Sequence, residues 1–278
     1  MEVRGLMSPL ISVAMGVLYQ RADLSFLKNA ITSILSQSVD DFEFLICYNE
    51  DSSESASVLL RQYAEKDSRI KLIFDNHRKA LSEKLNACLA RAQGKFVARM
   101  DDDDFSYPNR FEKQIMFLNT HTDISFTGCN VALVRNGISI GKRSFPVYPT
   151  VRDFYMTQPY IHPALIFRRE ALEAVGGYTE GKSCVLCEDY DLLLRLYKKG
   201  FYGANLQEIL LNYTLPATAK GSRNIVHRWS ESVVRWKRFY ELGVLPGAIP
   251  YVIKPIAVGL LPECILAEIK KRRGDFIL

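Results

Sequence analysis

From its amino end the chain alternates continuous apolar runs with stretches whose apolar residues recur every three or four positions. ISVAMGV (11–17) is a continuous run rich in β-branched residues, the pattern of a strand covered on both faces. Leu24, Leu27, Ile31, Ile34 and Leu35 then follow at helical spacing. FEFLICY (42–48) reads as a second strand, and the polar NEDSSE opens a helix running to about Lys66. RIKLIF (69–74) is a third strand. Leu81, Leu85, Cys88 and Leu89 mark the apolar face of a third helix, which Gly94 ends. KFVARM (95–100) is a fourth strand. This β-α-β-α-β-α-β order predicts an α/β fold: a mostly parallel sheet with right-handed crossovers and helices on both faces. Ligands of such sheets bind outside the carboxyl ends of the strands. Tyr19, Asn49, Asp75 and the run Asp101, Asp102, Asp103, Asp104 all fall at such ends.

The second half is more mixed. NRFEKQIMFLN is helical; DISFTGCNVALV, RNGISIGKRSF and HPALIFRRE suggest strands, with a turn at Asn136-Gly137. EDYDLLLRLYKKG (188–200) is an amphipathic helix opened by acids and ended by Gly200. EILLNYTL (208–215) is a strand, and from about Asn224 the chain turns helical. The expected division is a catalytic domain over 1–223 and a helical extension over 224–278.

At 278 residues, 48% hydrophobic and 24% charged, the composition is that of a folded globular chain. A net charge of +5 without a long basic stripe gives no footprint for nucleic acid. Pro9 and Gly16 interrupt the first apolar stretch, so it reads as a strand rather than a secretory signal. The six cysteines are scattered in apolar or helical contexts, as in reduced thiols. Cys184 and Cys187 form a lone CxxC with neither a second pair nor nearby histidines, which argues against a zinc site. The cytoplasm is the expected compartment.

Four adjacent carboxylates repel one another, so an ordered run of them needs a reason. A solvated acidic turn is one. A divalent cation carrying phosphates on its far side is the other, since such ions take carboxylate oxygens and leave positions for substrate. An EF-hand-like loop is excluded, because the run passes straight into an apolar helix instead of spacing its acids alternately.

Four blocks, PLISVAMGVLYQ…LKNAITSILSQSVDDFEFLIC, GKFVARMDDDDFSYPNRFEKQ, HPALIFRREALEAVGGY and CEDYDLLLRLYKKG, together resemble the family 2 inverting glycosyltransferases. The resemblance covers about residues 10–220. It implies the GT-A fold, with 1–105 as the nucleotide-binding half and 106–223 as the acceptor-side half. It implies transfer of a sugar from a nucleotide diphosphate donor, UDP-activated, to a glycan or lipid-linked oligosaccharide of a bacterial capsule or lipopolysaccharide. The family's Asp-X-Asp-Asp motif falls on Asp101-Asp102-Asp103-Asp104. Asp101 is then expected to face the ribose and Asp103 to ligate Mn²⁺ or Mg²⁺; Asp104 buttresses the loop, and Asp102 lies beside the donor or is simply solvated. Asp189 is the implied general base and Glu188 positions the acceptor or the loop, although acids at a helix start also stabilise its dipole. Asp191 is expected to cap the helix or pair with Arg195.

The same resemblance matches Tyr19 to a family Tyr near the base, with ordinary half-buried packing as its alternative, and Asn86 to a family Asn near the donor. Asn49, where the family carries an Asp, can still hydrogen-bond an imide edge. Beside Asp75 at the end of the third strand, Arg78 and Lys79 either meet the diphosphate of the nucleotide-sugar or form a solvated basic turn. Gly176 and Gly177 suit a tight turn lining the donor sugar. Two departures stand out. YNEDSS replaces the family's Asp-Asp-Gly-Ser, and Pro216 stands where relatives carry a metal-ligating His. His162 matches a family His and is expected to be structural; Lys220 and Arg223 are candidates to cover the diphosphate from a lid.

Residues 244–267 are apolar but carry Lys254 and four prolines, which argues against a spanning helix. With Lys270, Lys271, Arg272 and Arg273 after them, they fit either peripheral attachment to an anionic inner leaflet or a helical cap. Two other readings remain: a nucleotidyltransferase, which would want a Gly-rich basic loop after the first strand, and a non-catalytic scaffold subunit of a polysaccharide assembly complex.

Overall fold

The computed structural model describes residues 8–19, 23–181, 184, 186–216 and 225–260. Four parallel strands form one half of a nine-stranded sheet: β1 (Ile11–Gly16), β2 (Phe42–Tyr48), β3 (Ile70–Phe74) and β4 (Phe96–Arg99). Their spatial order is β3-β2-β1-β4. The crossovers are α1 (Ser25–Leu35), α2 (Glu54–Lys66) and α3 (Leu81–Leu89). After the two-residue β5 (Phe105–Ser106) come α4 (Arg110–Thr120), β6 (Ile124–Arg135), β7 (Ile138–Arg143), β8 (Ile166–Arg168), α5 (Arg169–Ala174), α6 (Glu188–Lys198) and β9 (Tyr202–Thr214). The sheet continues antiparallel from β4 to β8 and β6, then to β9, which lies parallel to β6, and to β5; β7 hangs on β6 as a hairpin.

Successive strand residues face opposite sides, and both sides are covered. Val13, Met15, Phe44 and Ile46 pack with Leu27 and Ile31 of α1, Leu60 of α2 and Phe111 of α4. Ala14, Leu45 and Cys47 pack with Leu85 and Cys88 of α3 and with Leu192 and Leu196 of α6. That is why β1 and β2 read as apolar runs, each broken by a single polar residue, Ser12 and Glu43. The same second layer takes Val234 and Phe239 of α7 (Ile225–Glu241) and Val252 of α8 (Leu245–Leu260). Arg235 of α7 donates to Tyr155 O at 2.8 Å, and Arg238 Nε to Asp191 Oδ1 at 2.7 Å, so the helical pair sits on the α6 side of the sheet. The boundary expected at 223/224 lies outside the described residues. Among those described, no helix is long and apolar enough to cross a membrane.

Asn136 and Gly137 both have positive φ, 51° and 78°, as a two-residue hairpin between β6 and β7 requires. Elsewhere the structure corrects the pattern. Gly94 does not end α3, which stops at Leu89 with Ala90 as its cap. A Cβ on Gly94 would lie 2.5 Å from Ser12 N, so this glycine lets the chain pass against β1. The strand expected from His162 is a short 3₁₀ turn, His162–Ala164, followed by only three strand residues; Pro163 has no N–H to give a sheet.

Candidate active site

The loops leaving β1, β2 and β3 are held together by one buried lysine. Lys84 projects from the apolar face of α3 and donates to Val17 O at 2.6 Å and to Asn49 Oδ1 at 2.9 Å. Asn49 Nδ2 donates in turn to Asp51 Oδ2 and to Arg78 O, both at 2.9 Å. Burial lowers the pKa of Lys84, against the pull of Cys47, Asp51 and Asp102. Asn49 is therefore a correction: fully buried, with both amide hydrogens engaged, it joins three strand-end loops and presents no edge to a base. Tyr19 is likewise closed in. Its ring belongs to the apolar core at 3% exposure, and its hydroxyl donates to Asp23 O.

The expected basic and polar residues lie nearer the surface. Asp75 accepts from His77 N and meets Arg78 Nε at 3.4 Å; the His77 hydrogen bond leads the causes that lower its pKa, with burial opposing. Arg78 Nη1 reaches Glu180 Oε1 at 3.1 Å. Lys79 is exposed, 3.3 Å from Asp51. Asn86 acts on backbone: it donates to Tyr178 O and accepts from Tyr178 N, at 2.9 and 2.8 Å, and also donates to Glu180. It thereby clamps the turn at Gly176 and Gly177, whose φ values are 72° and 68°.

The acidic run is tied to three strands. Asp101 pairs with the buried Arg99 at the end of β4, whose guanidinium also donates to Met100 O. Asp102 Oδ2 accepts from Leu18 N, just past β1, at 3.1 Å. Burial, then the charges of Asp101 and Asp103, push the Asp102 carboxyl up to about 7. Asp102 itself is half-exposed. Asp103 O accepts from Thr214 Oγ1, and Asp104 Oδ1 from Thr214 N at 2.7 Å, fastening the loop to the end of β9. Asp104 is fully buried; burial and the charges of Asp101 and Asp103 raise its pKa well above the ordinary value, and its Oδ2 has no hydrogen-bond partner. Under the loop, Arg110 donates to Pro163 O at 2.8 Å and Arg99 O at 3.1 Å.

Across the opening, Cys187 precedes the first turn of α6, which holds Glu188 and Asp189. Asp189 Oδ2 accepts from Gln158 Nε2 at 2.9 Å. Burial, then the Asp189 charge, raises Glu188 to about 7. Asp191 points away from the opening into a buried network: Arg195 at 2.8 Å, Arg238 at 2.7 Å and Thr179 at 2.6 Å. Burial alone would raise its pKa, but the hydrogen bonds from Arg238 and Thr179 and the two arginine charges bring it below the usual value. His162 is buried, with Nε2 2.8 Å from Tyr178 Oη; burial, then Arg99, pushes its pKa well down, as suits a neutral structural imidazole. Tyr178 is buried and Tyr213 half-buried. Burial is the first cause of the raised pKa of each phenol; Asp101 and Asp189 add to it in both cases.

Lys84, Arg99, Arg110 and Gln158 were not picked out by motif. Lys84 left a signal, a cation within the apolar stripe of Leu81, Leu85 and Cys88. Arg99 left another, a charge at the end of an apolar strand. Among the described residues no group of three or more His, Cys, Asp or Glu could hold a metal ion, and Lys220 and Arg223 lie outside them.

A parallel α/β half joined to a mixed half, with acids at the junction, is the GT-A arrangement, and solved structures share it. The chain superposes on S. aureus TarS 1–349 in complex with UDP-GlcNAc at a TM-score of 0.68, with 15% identity, over 88% of this chain and 72% of that one. It superposes on the mannosyltransferase PcManGT from Pyrobaculum calidifontis, in complex with GDP-Man and Mn²⁺, at 0.63 and 16% identity, over 98% and 82%. The model of glycosyl transferase family 2 matches residues 17–176. A putative glycosyltransferase of Bacillus subtilis, EpsE, is 30% identical over 95% of this chain and 94% of its own. The O-antigen biosynthesis glycosyltransferase WbnJ of Escherichia coli is 33% identical over 74% and 80%. This chain belongs to glycosyltransferase family 2.

Proposed function

We propose that this glycosyltransferase moves a sugar from a UDP-activated donor to a glycan or lipid-linked oligosaccharide of a cell-surface polysaccharide, with inversion at the anomeric carbon. The observation that supports the reading is that the acidic run is fixed at the carboxyl end of β4 through Arg99 and Thr214, while Asp189 stands in the first turn of α6, held by Gln158. Donor-holding and acceptor-activating groups would then border one reaction space. Asp189 takes the proton of the acceptor hydroxyl as it attacks, oriented by Gln158. Glu188, with a pKa near neutrality, positions the acceptor without placing a full second charge beside that base. Asp101, fixed by Arg99, faces the ribose, and residues 1–105 form the donor half against an acceptor half over 106–223. Asp75, Lys79 and Asn86 border the nucleotide-sugar pocket.

The divalent cation of this reading, Mn²⁺ or Mg²⁺, would be held by Asp103 together with the donor rather than by a cluster of three protein ligands, of which the described residues have none. Burial and the charges of Asp101 and Asp103 raise the Asp102 carboxyl to about 7, and a cation beside the run would offset that crowding. With Asp103 as ligand, the positions left open would go to donor phosphates, as is usual for Mg²⁺. When bound, such an ion supplies Lewis-acid stabilisation of the charge on the departing diphosphate. The UDP-GlcNAc held by TarS and the GDP-Man and Mn²⁺ held by PcManGT support a nucleotide-sugar donor and a metal. The O-antigen role in WbnJ's name supports the polysaccharide. A lipid-linked acceptor would place the enzyme on the inner face of the plasma membrane.

The test is a panel of nucleotide sugars with Mn²⁺, reading release of the nucleoside diphosphate. One UDP-sugar should be turned over, with loss of turnover on chelation and in Asp103→Ala. Asp189→Asn should bind donor without transferring. Undiminished turnover in Asp103→Ala would sink the metal assignment, and full transfer by Asp189→Asn would sink the base.

A further inference from the structure

The outward side of the α7–α8 hairpin has no task in that reaction. Along α7, Val226, Trp229, Val233, Trp236 and Tyr240 succeed one another at three- and four-residue steps and are all exposed, Trp229 by 62% and Tyr240 by 72%. On α8, Ile249, Ile253 and Leu260 are exposed too, Leu260 by 74%. The chain has two tryptophans, and both are here. A continuous apolar patch rimmed by polar residues marks a surface with a partner.

The charges say which partner. The acids of α7 are turned inward, Glu231 to Arg235 and Glu241 to Arg238, both at distances below 3 Å. Lys237 is the exposed charge among the outward residues of α7, and the sequence beyond α8 carries Lys270, Lys271, Arg272 and Arg273 against Glu263, Glu268 and Asp275, a small net positive charge. A face of Trp, Tyr and aliphatic side chains with cations and no outward acid matches an anionic lipid surface. A two-fold pairing with a second copy would instead bury two Lys237 residues with no outward α7 carboxylate to meet them. α8 runs on through Pro250 and Pro255, but no described helix is long and apolar enough to span, so the hairpin would lie in the interface plane.

The seat is also joined to the catalytic side. Arg235 donates to Phe154 O and Tyr155 O, and Lys254 to Met156 O. Two residues further on, Gln158 holds Asp189. We infer that the outer face of α7 and α8 is a docking surface for an anionic membrane, which sets the acceptor side of the opening towards the lipid; the inference rests on the proposed lipid-linked acceptor for its purpose.

The two tryptophans make the test direct. Full-length protein is titrated with vesicles of phosphatidylcholine alone or with phosphatidylglycerol added, following tryptophan emission and quenching by brominated lipid. Blue-shifted emission, bromine quenching and co-sedimentation, stronger with phosphatidylglycerol, are expected. Trp229→Ser with Trp236→Ser should lower the partition coefficient by about tenfold or more, read by sedimentation, with an unchanged circular dichroism spectrum. Lys237→Glu should weaken binding to the anionic vesicles only. Protein that stays in the supernatant with unshifted emission overturns the inference. So does a lipid-free dimer, seen by sedimentation equilibrium, that shields both tryptophans from acrylamide. Tryptophans shielded in the full chain but exposed by removal of 261–278 would name that segment as the cover and overturn it equally. Donor turnover in solution is measured on the same preparations: intact turnover without vesicle binding removes the docking surface alone, and absent turnover removes the proposed reaction.

Discussion

Neutralising Asp191 should loosen the C-terminal hairpin from the catalytic helix. Its carboxylate is 3% exposed and accepts from Arg195, Arg238 and Thr179. Asn at this position must turn an N–H₂ towards one of two guanidinium groups that are themselves 15% and 9% exposed. Breaking a buried pair in this way costs about 3–5 kcal/mol, mostly by leaving a buried charge uncompensated. At about 2–4 °C per kcal/mol for a chain of this size, the melting temperature should fall by roughly 6–20 °C. Urea unfolding supplies the assay, with two probes. Trp229 and Trp236 report α7, and far-ultraviolet circular dichroism reports the whole. In Asp191→Asn the fluorescence transition should precede the dichroic one. Combined with Arg238→Met, the cycle should show coupling, since the partners touch. The pH dependence has a fixed sign. The folded pKa of Asp191 is lowered, so its contribution is complete above the unfolded value of about 3.9 and is lost as pH falls through the lower folded value. The gap between wild type and variant should therefore close only in acid. A loss below about 1 kcal/mol, the range of a surface pair, or additive behaviour in the cycle, would refute the reasoning.

Lys84→Met should leave Val17 O and Asn49 Oδ1 without their buried donor, lowering stability by about 1–3 kcal/mol; if the β1 and β2 loops shape the donor site, KM for the donor should rise more than kcat falls. Glu188 is raised to about 7, so the folded state loses stability as pH climbs from its unfolded value of about 4.3 towards 7. Glu188→Gln should accordingly gain stability over wild type at pH 8 and show no gain at pH 4, in urea midpoints. Asp104 also has a raised pKa, and Asp104→Asn can still accept from Thr214 N; it should unfold later than wild type at pH 7, whereas Asp104→Ala should unfold earlier.

The parallel half was legible because burial on both faces writes itself into composition. Every residue of β1 and β2 is buried, and their single polar residues, Ser12 and Glu43, pair with each other, so the apolar runs stood out. The carboxylates at strand ends were legible for the same reason, as abrupt polarity after an apolar run. What periodicity could not supply was the pairing of polar groups distant in sequence. Asn49 was expected at a base and is instead held by Lys84, 35 residues on. Asn86 proved to be a backbone clamp on Tyr178, 92 residues away. Gly94 shows a subtler limit: a glycine after a helix looks like a cap, and only the approach of Ser12 reveals that space was the requirement.

The four aspartates illustrate both sides of that boundary. In sequence they are one acidic patch; in the fold each has its own tie, through Arg99, Leu18 N and the two groups of Thr214. The cations beneath them are committed inward. Lys84 serves Val17 O and Asn49, Arg110 serves two backbone carbonyls, and Arg99 serves Met100 O and Asp101. A diphosphate arriving at this mouth would meet carboxylates first and find these donors spoken for. Its charge would have to be met by Arg78 and Lys79, themselves facing Glu180 and Asp51, or by a cation that enters with it. Of the two, the entering cation also relieves the repulsion that raises Asp102, which side chains already paired elsewhere do not. For the proposed donor, this arrangement of charge would favour binding as a metal complex over binding by basic side chains alone.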